Sequence, residues 1–141
     1  MPVRSLNSVV FRWPARDAVM AAACEWASRL RQNDPLVEFV GCIGSCARGD
    51  WGVGSDLDIV VILRESTLSA LERHLRYEPQ GLPVPSDLWV YTLAEWEALP
   101  DHSPHIWHRL QRELLDLTAI AQVGYPDPTN VGRVFRPARG A

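Results

Sequence analysis

The sequence predicts a single α/β domain, a small β-sheet with helices packed on it. Three observations carry that prediction. At 141 residues the chain has room for one hydrophobic core. Its composition, 47% hydrophobic and 22% charged, is that of an ordinary globular domain. Along it, apolar residues switch between helical spacing and short continuous runs, in the order helix, strand, loop, strand, helix, strand, helix, helix.

Each element has its own local warrant. Arg4 to Trp13 is short and mixed, and its SVVFRW run suits an edge strand. After Pro14, the residues Val19, Ala22, Ala23, Trp26 and Leu30 recur at helical spacing, and Asn33-Asp34-Pro35 stops the pattern. Val37 to Ile43 and Leu57 to Leu63 are continuous apolar runs, predicted as buried strands. Leu68, Leu71 and Leu75 mark a helix after a Ser66 cap, and the turn-rich Pro79 to Pro85 leads into a third strand, Asp87 to Thr92. Thr92 and Glu95 have capping-box spacing and start a short helix. Ser103-Pro104 starts a longer one, with Ile106, Leu110, Leu114 and Leu117 on its buried face. The domain is expected over residues 1–123, followed by a Pro-, Gly- and Arg-rich tail over 124–141.

Composition removes several function classes. The chain contains no lysine, so all fourteen basic residues are arginine. A Walker A loop and a Schiff-base enzyme both need a lysine, and both are excluded. Any phosphate chemistry must use backbone amides, arginine and metal ions. A net charge of −3 gives no global basic field for nucleic acid. No apolar run reaches the length of a membrane span and the N-terminus has no signal-peptide core, so the expected location is the cytoplasm. Cys24, Cys42 and Cys46 form no disulfide or zinc spacing and are read as reduced core residues.

The chemistry concentrates in Gly44 to Val60, GSCARGDWGVGSDLDIV. A strand running into Gly44-Ser45 lets an anion approach the backbone, with unpaired amides at the start of a helical turn. Ser45 adds a hydroxyl and Arg48 a fixed positive charge one turn on. On its own this pattern also fits a tight turn with Ser45 as a helix cap. The aspartates that follow shift the balance. Residues two apart share a strand face, so Asp56 and Asp58 point the same way, their β-carbons ~6–7 Å apart. Asp87, opening the next strand with Trp89 and Tyr91 on its face, would stand beside them if the strands pair. Three ionised carboxylates at ~5 Å repel by roughly 3 kcal/mol per pair at an effective dielectric near 20. Such a cluster binds divalent cations or takes up protons, and its oxygen ligands favour Mg²⁺ or Mn²⁺.

Gly44-Ser45, Gly49 and Ser55-Asp56-Leu57-Asp58 before an apolar run resemble the signature of the polymerase-β-like nucleotidyltransferases, and the short chain resembles their minimal branch. With the later acid, the resemblance spans Val37 to Thr92. It implies the nucleotidyltransferase fold, with a small mixed sheet. It further implies that Gly44 and Ser45, with Arg48 and Ser55, bind a nucleoside triphosphate, ATP above all. Asp56 and Asp58 would hold two Mg²⁺ (or Mn²⁺) ions, and Asp87 would complete the ion that activates the attacking hydroxyl. The implied reaction moves a nucleoside monophosphate, AMP first, to a hydroxyl and releases pyrophosphate. Minimal members are often paired with a helical HEPN-type protein, sometimes as the antitoxin that nucleotidylates its partner's tyrosine. The rival expectation is a non-catalytic antitoxin or scaffold that binds and neutralises such a partner.

Two other features carry less. His102, His105 and His108 sit three apart, but the first and third are ~240° around a helix axis and cannot readily share an ion. Of the six tryptophans, Trp26 and Trp107 fall on helical stripes and belong to the core. Trp51 lies between the glycine-serine turn and the aspartates, where a base could stack, and Trp89 and Tyr91 wall the site or pack beneath a helix.

Overall fold

The computed structural model describes residues 13–119. The expected edge strand before Trp13 and the arginine-bearing tail lie outside the described residues.

The first helix, α1 (Arg16–Asn33), buries Val19, Met20, Ala23, Cys24 and Ala27. It stops where the sequence stops it. Asp34 donates its amide to the Leu30 carbonyl, and its carboxylate takes the Leu36 amide at 3.0 Å and the Tyr77 hydroxyl at 2.8 Å. Strand β1 (Val37–Ile43) leads through Gly44 into a single helical turn, α2 (Ser45–Arg48), then a loop and β2 (Leu57–Leu63). Helix α3 (Ala70–Tyr77), β3 (Ser86–Thr92), α4 (Leu93–His102), α5 (Pro104–Glu113) and a two-residue β4 (Leu115–Asp116) complete the order.

The sheet order is β3-β2-β1-β4. β1 runs antiparallel to β2 and to β4, whereas β2 and β3 are parallel, with α3 in the connection between them. The sheet is therefore mixed. Helices cover both faces, which is why β1 and β2 read as unbroken apolar runs rather than alternating ones. On one face α1 packs over Val40, Leu57, Ile59, Val61 and Leu63. On the other, Trp96 and Leu99 of α4 and Leu110 of α5 pack over Phe39, Ile43, Val60 and Ile62.

Three elements differ from the sequence expectation. Helix α3 is capped by Ser69, whose hydroxyl and Glu72 form a capping box, while Ser66 only closes the turn before it by accepting the Leu68 amide. Its leucines are not core: Leu71 is 68% and Leu75 65% exposed, and Tyr77 is the buried member of the helix. Helical spacing shows that a face is apolar, not that something lies under it. Helix α5 ends at Glu113, and the chain turns extended to pair β4 with Gly41 and Cys42. Leu114 and Leu117 are buried past the helix, and Ile106 is exposed. A β-carbon on Gly41 would lie 2.8 Å from the Leu115 carbonyl oxygen. The glycine inside β1 thus lets β4 approach, the local sign of an added strand.

Candidate functional site

The site forms where the end of β1 lies beside the start of β2. Ile43 pairs with Asp58 across the antiparallel β1–β2 ladder, and Asp58 pairs with Asp87 across the parallel β2–β3 ladder. The three residues form one row of the sheet, and adjacent strands lie ~4.8 Å apart. Asp58 is half-buried, while Asp56 and Asp87 are exposed. Asp56 precedes β2 by one residue, so it belongs to the loop rather than to the strand.

Gly44 carries the turn into α2 with φ 81° and ψ −157°, a region open essentially to glycine alone. A β-carbon there would run into the Asp58 carboxylate. Backbone conformation and contact with the acid both demand glycine. In α2 the Arg48 amide bonds the Gly44 carbonyl and the Gly49 amide the Ser45 carbonyl, both at 2.9 Å. The amides of Ser45, Cys46 and Ala47 belong to the first turn and have no acceptor within it. Gly49 closes the turn in the left-handed region.

The following loop is pinned at three points. The Trp51 indole donates to the Pro14 carbonyl at 3.0 Å and its ring packs on the α1 side of the core, which gives this tryptophan a packing role. Ser55 closes a turn on Gly52, accepting its amide with the hydroxyl and giving its own amide to the carbonyl, each at 3.0 Å. The Leu57 amide bonds the Pro85 carbonyl at 3.0 Å, joining the start of β2 to the residue before β3. Beneath α2, Arg16 donates to the Cys46 carbonyl at 2.6 Å and the Cys46 thiol meets the Met20 sulfur at 3.0 Å. All three cysteines are free and buried, and burial pushes the Cys24 thiol up to about 11.

A fourth acid, which sequence reasoning missed, reaches the loop from the end of α5. The Glu113 carboxylate accepts the Gly44 amide at 3.0 Å and the Arg48 guanidinium at 2.8 Å, and Arg109 lies 3.4 Å away. Glu113 is only 8% exposed. The sign of it in the sequence is its position three residues after Leu110, where a charged residue falls on the stripe assigned to the core. The Gly44 amide is therefore engaged within the protein, and the amides left for an anion are those of the α2 turn.

Burial first, and then the Asp87 carboxylate, push the Asp58 carboxyl above the usual carboxylate range. Asp56 and Glu113 push the same way, and Arg109 opposes them. Among the described residues, no group of three His, Cys, Asp or Glu side chains is gathered closely enough to hold a metal ion. The donor set still fits a hard cation. Mg²⁺ is ordinarily held by one or two carboxylates, with water and substrate phosphate completing its shell, and a positive charge would relieve the repulsion at Asp58. His102, His105 and His108 are all exposed. Below the carboxylate row, on the same sheet face, α5 roofs a cavity of about 120 Å³ lined by Ile43, Val60, Trp89, Tyr91, Arg109 and Leu110 among others. Trp89 and Tyr91 thus both wall a cavity and lie beneath a helix.

The family model described as "nucleotidyltransferase domain" matches residues 23–113. No curated protein matches the sequence. Among solved structures, a "putative nucleotidyltransferase from Sulfolobus solfataricus" is 18% identical, with a TM-score of 0.51 over 82% of this chain and 90% of that one. A "toxin-antitoxin with AMP-PNP" is 16% identical, with a TM-score of 0.37 over 74% of this chain and 73% of that one. The first likeness is one of fold.

Proposed function

Because this chain belongs to the nucleotidyltransferase domain family, we propose that it transfers a nucleoside monophosphate, AMP from ATP, to a hydroxyl acceptor. The acceptor we favour is a tyrosine of a HEPN-type partner protein. The observation that carries the reading is the row Ile43–Asp58–Asp87 set against Gly44, the one residue type that fits beside the Asp58 carboxylate.

In this mechanism the Ser45 hydroxyl and the first-turn amides of α2 hold phosphate oxygens, and Arg48 adds charge to the same grip. Ser55 contributes by fixing the loop that delivers Asp56. Mg²⁺ or Mn²⁺ held by Asp56, Asp58 and Asp87 would supply positive charge along the triphosphate and to the attacking oxygen. Asp87, exposed at the rim, accepts the acceptor's proton. The acceptor oxygen bonds the α-phosphorus in line as the bond to the bridging oxygen breaks, and pyrophosphate leaves. Positioning and charge account for the acceleration.

Thermal melting of the purified chain with each of the four nucleoside triphosphates, with and without Mg²⁺, tests the nucleotide half. A ligand at a hundred times its dissociation constant adds ~2.7 kcal/mol, which raises the midpoint by roughly 5–15 °C. The rise should need Mg²⁺ and should vanish in Asp58→Asn. Labelled transfer to a HEPN-type partner, and its loss when the partner's tyrosine becomes phenylalanine, tests the acceptor. Partner binding that survives Asp58→Asn without any transfer by the wild type would instead identify a non-catalytic scaffold.

A further inference from the structure

Glu113 is a carboxylate where the protein should tolerate one poorly. It is 8% exposed, and it ends α5, where the helix dipole disfavours negative charge. Two donors and a nearby cation offset that cost: the Gly44 amide at 3.0 Å, Arg48 Nη1 at 2.8 Å, and the Arg109 guanidinium, whose Nε lies 3.4 Å away. They come from two elements far apart in the sequence. One is the glycine-serine turn and the other is α5 itself.

The way each arginine is held is specific. Glu113 engages Arg48 through Nη1, leaving Nε and Nη2, which reach only the exposed Asp50 at 3.4 Å. An exposed contact of that length is weak and exchangeable. Arg109 comes closest to Glu113 through Nε, at 3.4 Å, a looser ion pair than that of Arg48, and its guanidinium also carries an Nη1–Nη2 edge of the kind that pairs with phosphate bidentately. Both arginine side chains are 44% exposed. Arg109 also lines the cavity under the carboxylate row. A chain without lysine must meet phosphate charge with arginine.

We propose that Glu113 is the positioning residue of the phosphate grip. It fixes Gly44 and aims Arg48 and Arg109, one from each side, at the triphosphate. Arg109 is then a second phosphate-binding cation, on a helix remote from the glycine-serine turn. The inference rests on the nucleotide reading above and adds to it the residue that assembles the site.

The test is the dissociation constant of Mg·ATP, and of inorganic tripolyphosphate, for the full chain and for E113Q, R109Q and the double variant, with unfolding curves for each. Glutamine keeps an oxygen for the Gly44 amide but cannot hold two guanidinium groups, so a purely structural role would survive E113Q. The expected result is that E113Q and R109Q each weaken both ligands by about tenfold or more, the scale of one charge-assisted hydrogen bond. The double variant should bind within about twofold of E113Q, because the two residues act through one another. Wild-type affinity in E113Q, or effects that multiply in the double variant, would overturn the proposal. If E113Q does not fold, wild-type affinity in R109Q, a change at an exposed side chain, overturns it alone. Failure of the wild type to bind any of the four triphosphates with Mg²⁺ defeats the nucleotide reading itself, and this inference with it.

Discussion

Asp58 stands directly across from Asp87 in the parallel pairing of β2 with β3. Neighbouring carboxylates on adjacent strands oppose one another, and here the half-buried member carries the cost. Its carboxyl is held above the usual range, by burial first and by Asp87 second. That arrangement fixes the sign of a pH dependence.

In metal-free protein, native Asp58 binds its proton more tightly than the unfolded chain does. The stability that Asp58 contributes therefore falls as pH rises from about 4, the ordinary aspartate value, through the raised native one. Asp58→Asn should flatten that slope and melt higher than wild type at neutral pH in EDTA, while transfer activity drops by roughly a hundredfold or more. Melting points across the acidic range, read beside turnover, check both halves. A mutant less stable than wild type at neutral pH would refute the repulsion.

Gly44→Ala should damage fold and function together. The backbone conformation alone costs alanine about 1–3 kcal/mol, and the new methyl must displace the Asp58 carboxylate. Denaturant unfolding should show the loss, and triphosphate binding should fall with it. A variant of wild-type stability would mean that the turn can relax.

The Tyr77 hydroxyl bonds the buried Asp34 carboxylate and so ties the end of α3 to the end of α1. Tyr77→Phe should cost about 1–3 kcal/mol, because Asp34 loses a partner inside the protein. Burial, then the Asp34 bond, push the tyrosine up to about 12. The native state keeps its phenolic proton longer than the unfolded chain, so wild type loses stability as pH rises from about 10 toward that value. Phenylalanine removes the part of the alkaline slope that Tyr77 contributes, so urea titrations at pH 8 and pH 11 should show a smaller loss in the mutant than in wild type.

Trp96 is 1% exposed and meets Trp107 edge-on at 5.2 Å, at the centre of the layer that α4 and α5 lay over the site's sheet face. Trp96→Ala should destabilise by about 3–5 kcal/mol. Because Glu113 rides on α5, triphosphate affinity should fall in step, measured by calorimetry below the new melting point.

Local patterns in the sequence determined a large part of this protein. α1 and its stop at Asp34, the buried runs of β1 and β2, and the Thr92–Glu95 capping box all depend on residues within a few positions of one another. The same holds for the turn at Gly44, whose backbone only glycine adopts, and for the spacing of Asp56 and Asp58. What the tertiary structure decided is reached through space. Which strand neighbours which, and hence that Asp87 faces Asp58, is a matter of sheet order. So is β4, where helical periodicity through Leu114 and Leu117 gave way to pairing with Gly41 and Cys42. The leucines of α3 kept their helical spacing yet found no core, since periodicity describes a face and not its cover. Glu113 shows the limit most plainly: its partner Gly44 lies 69 residues away, and a buried carboxylate acquires its role only when the fold brings its donors to it.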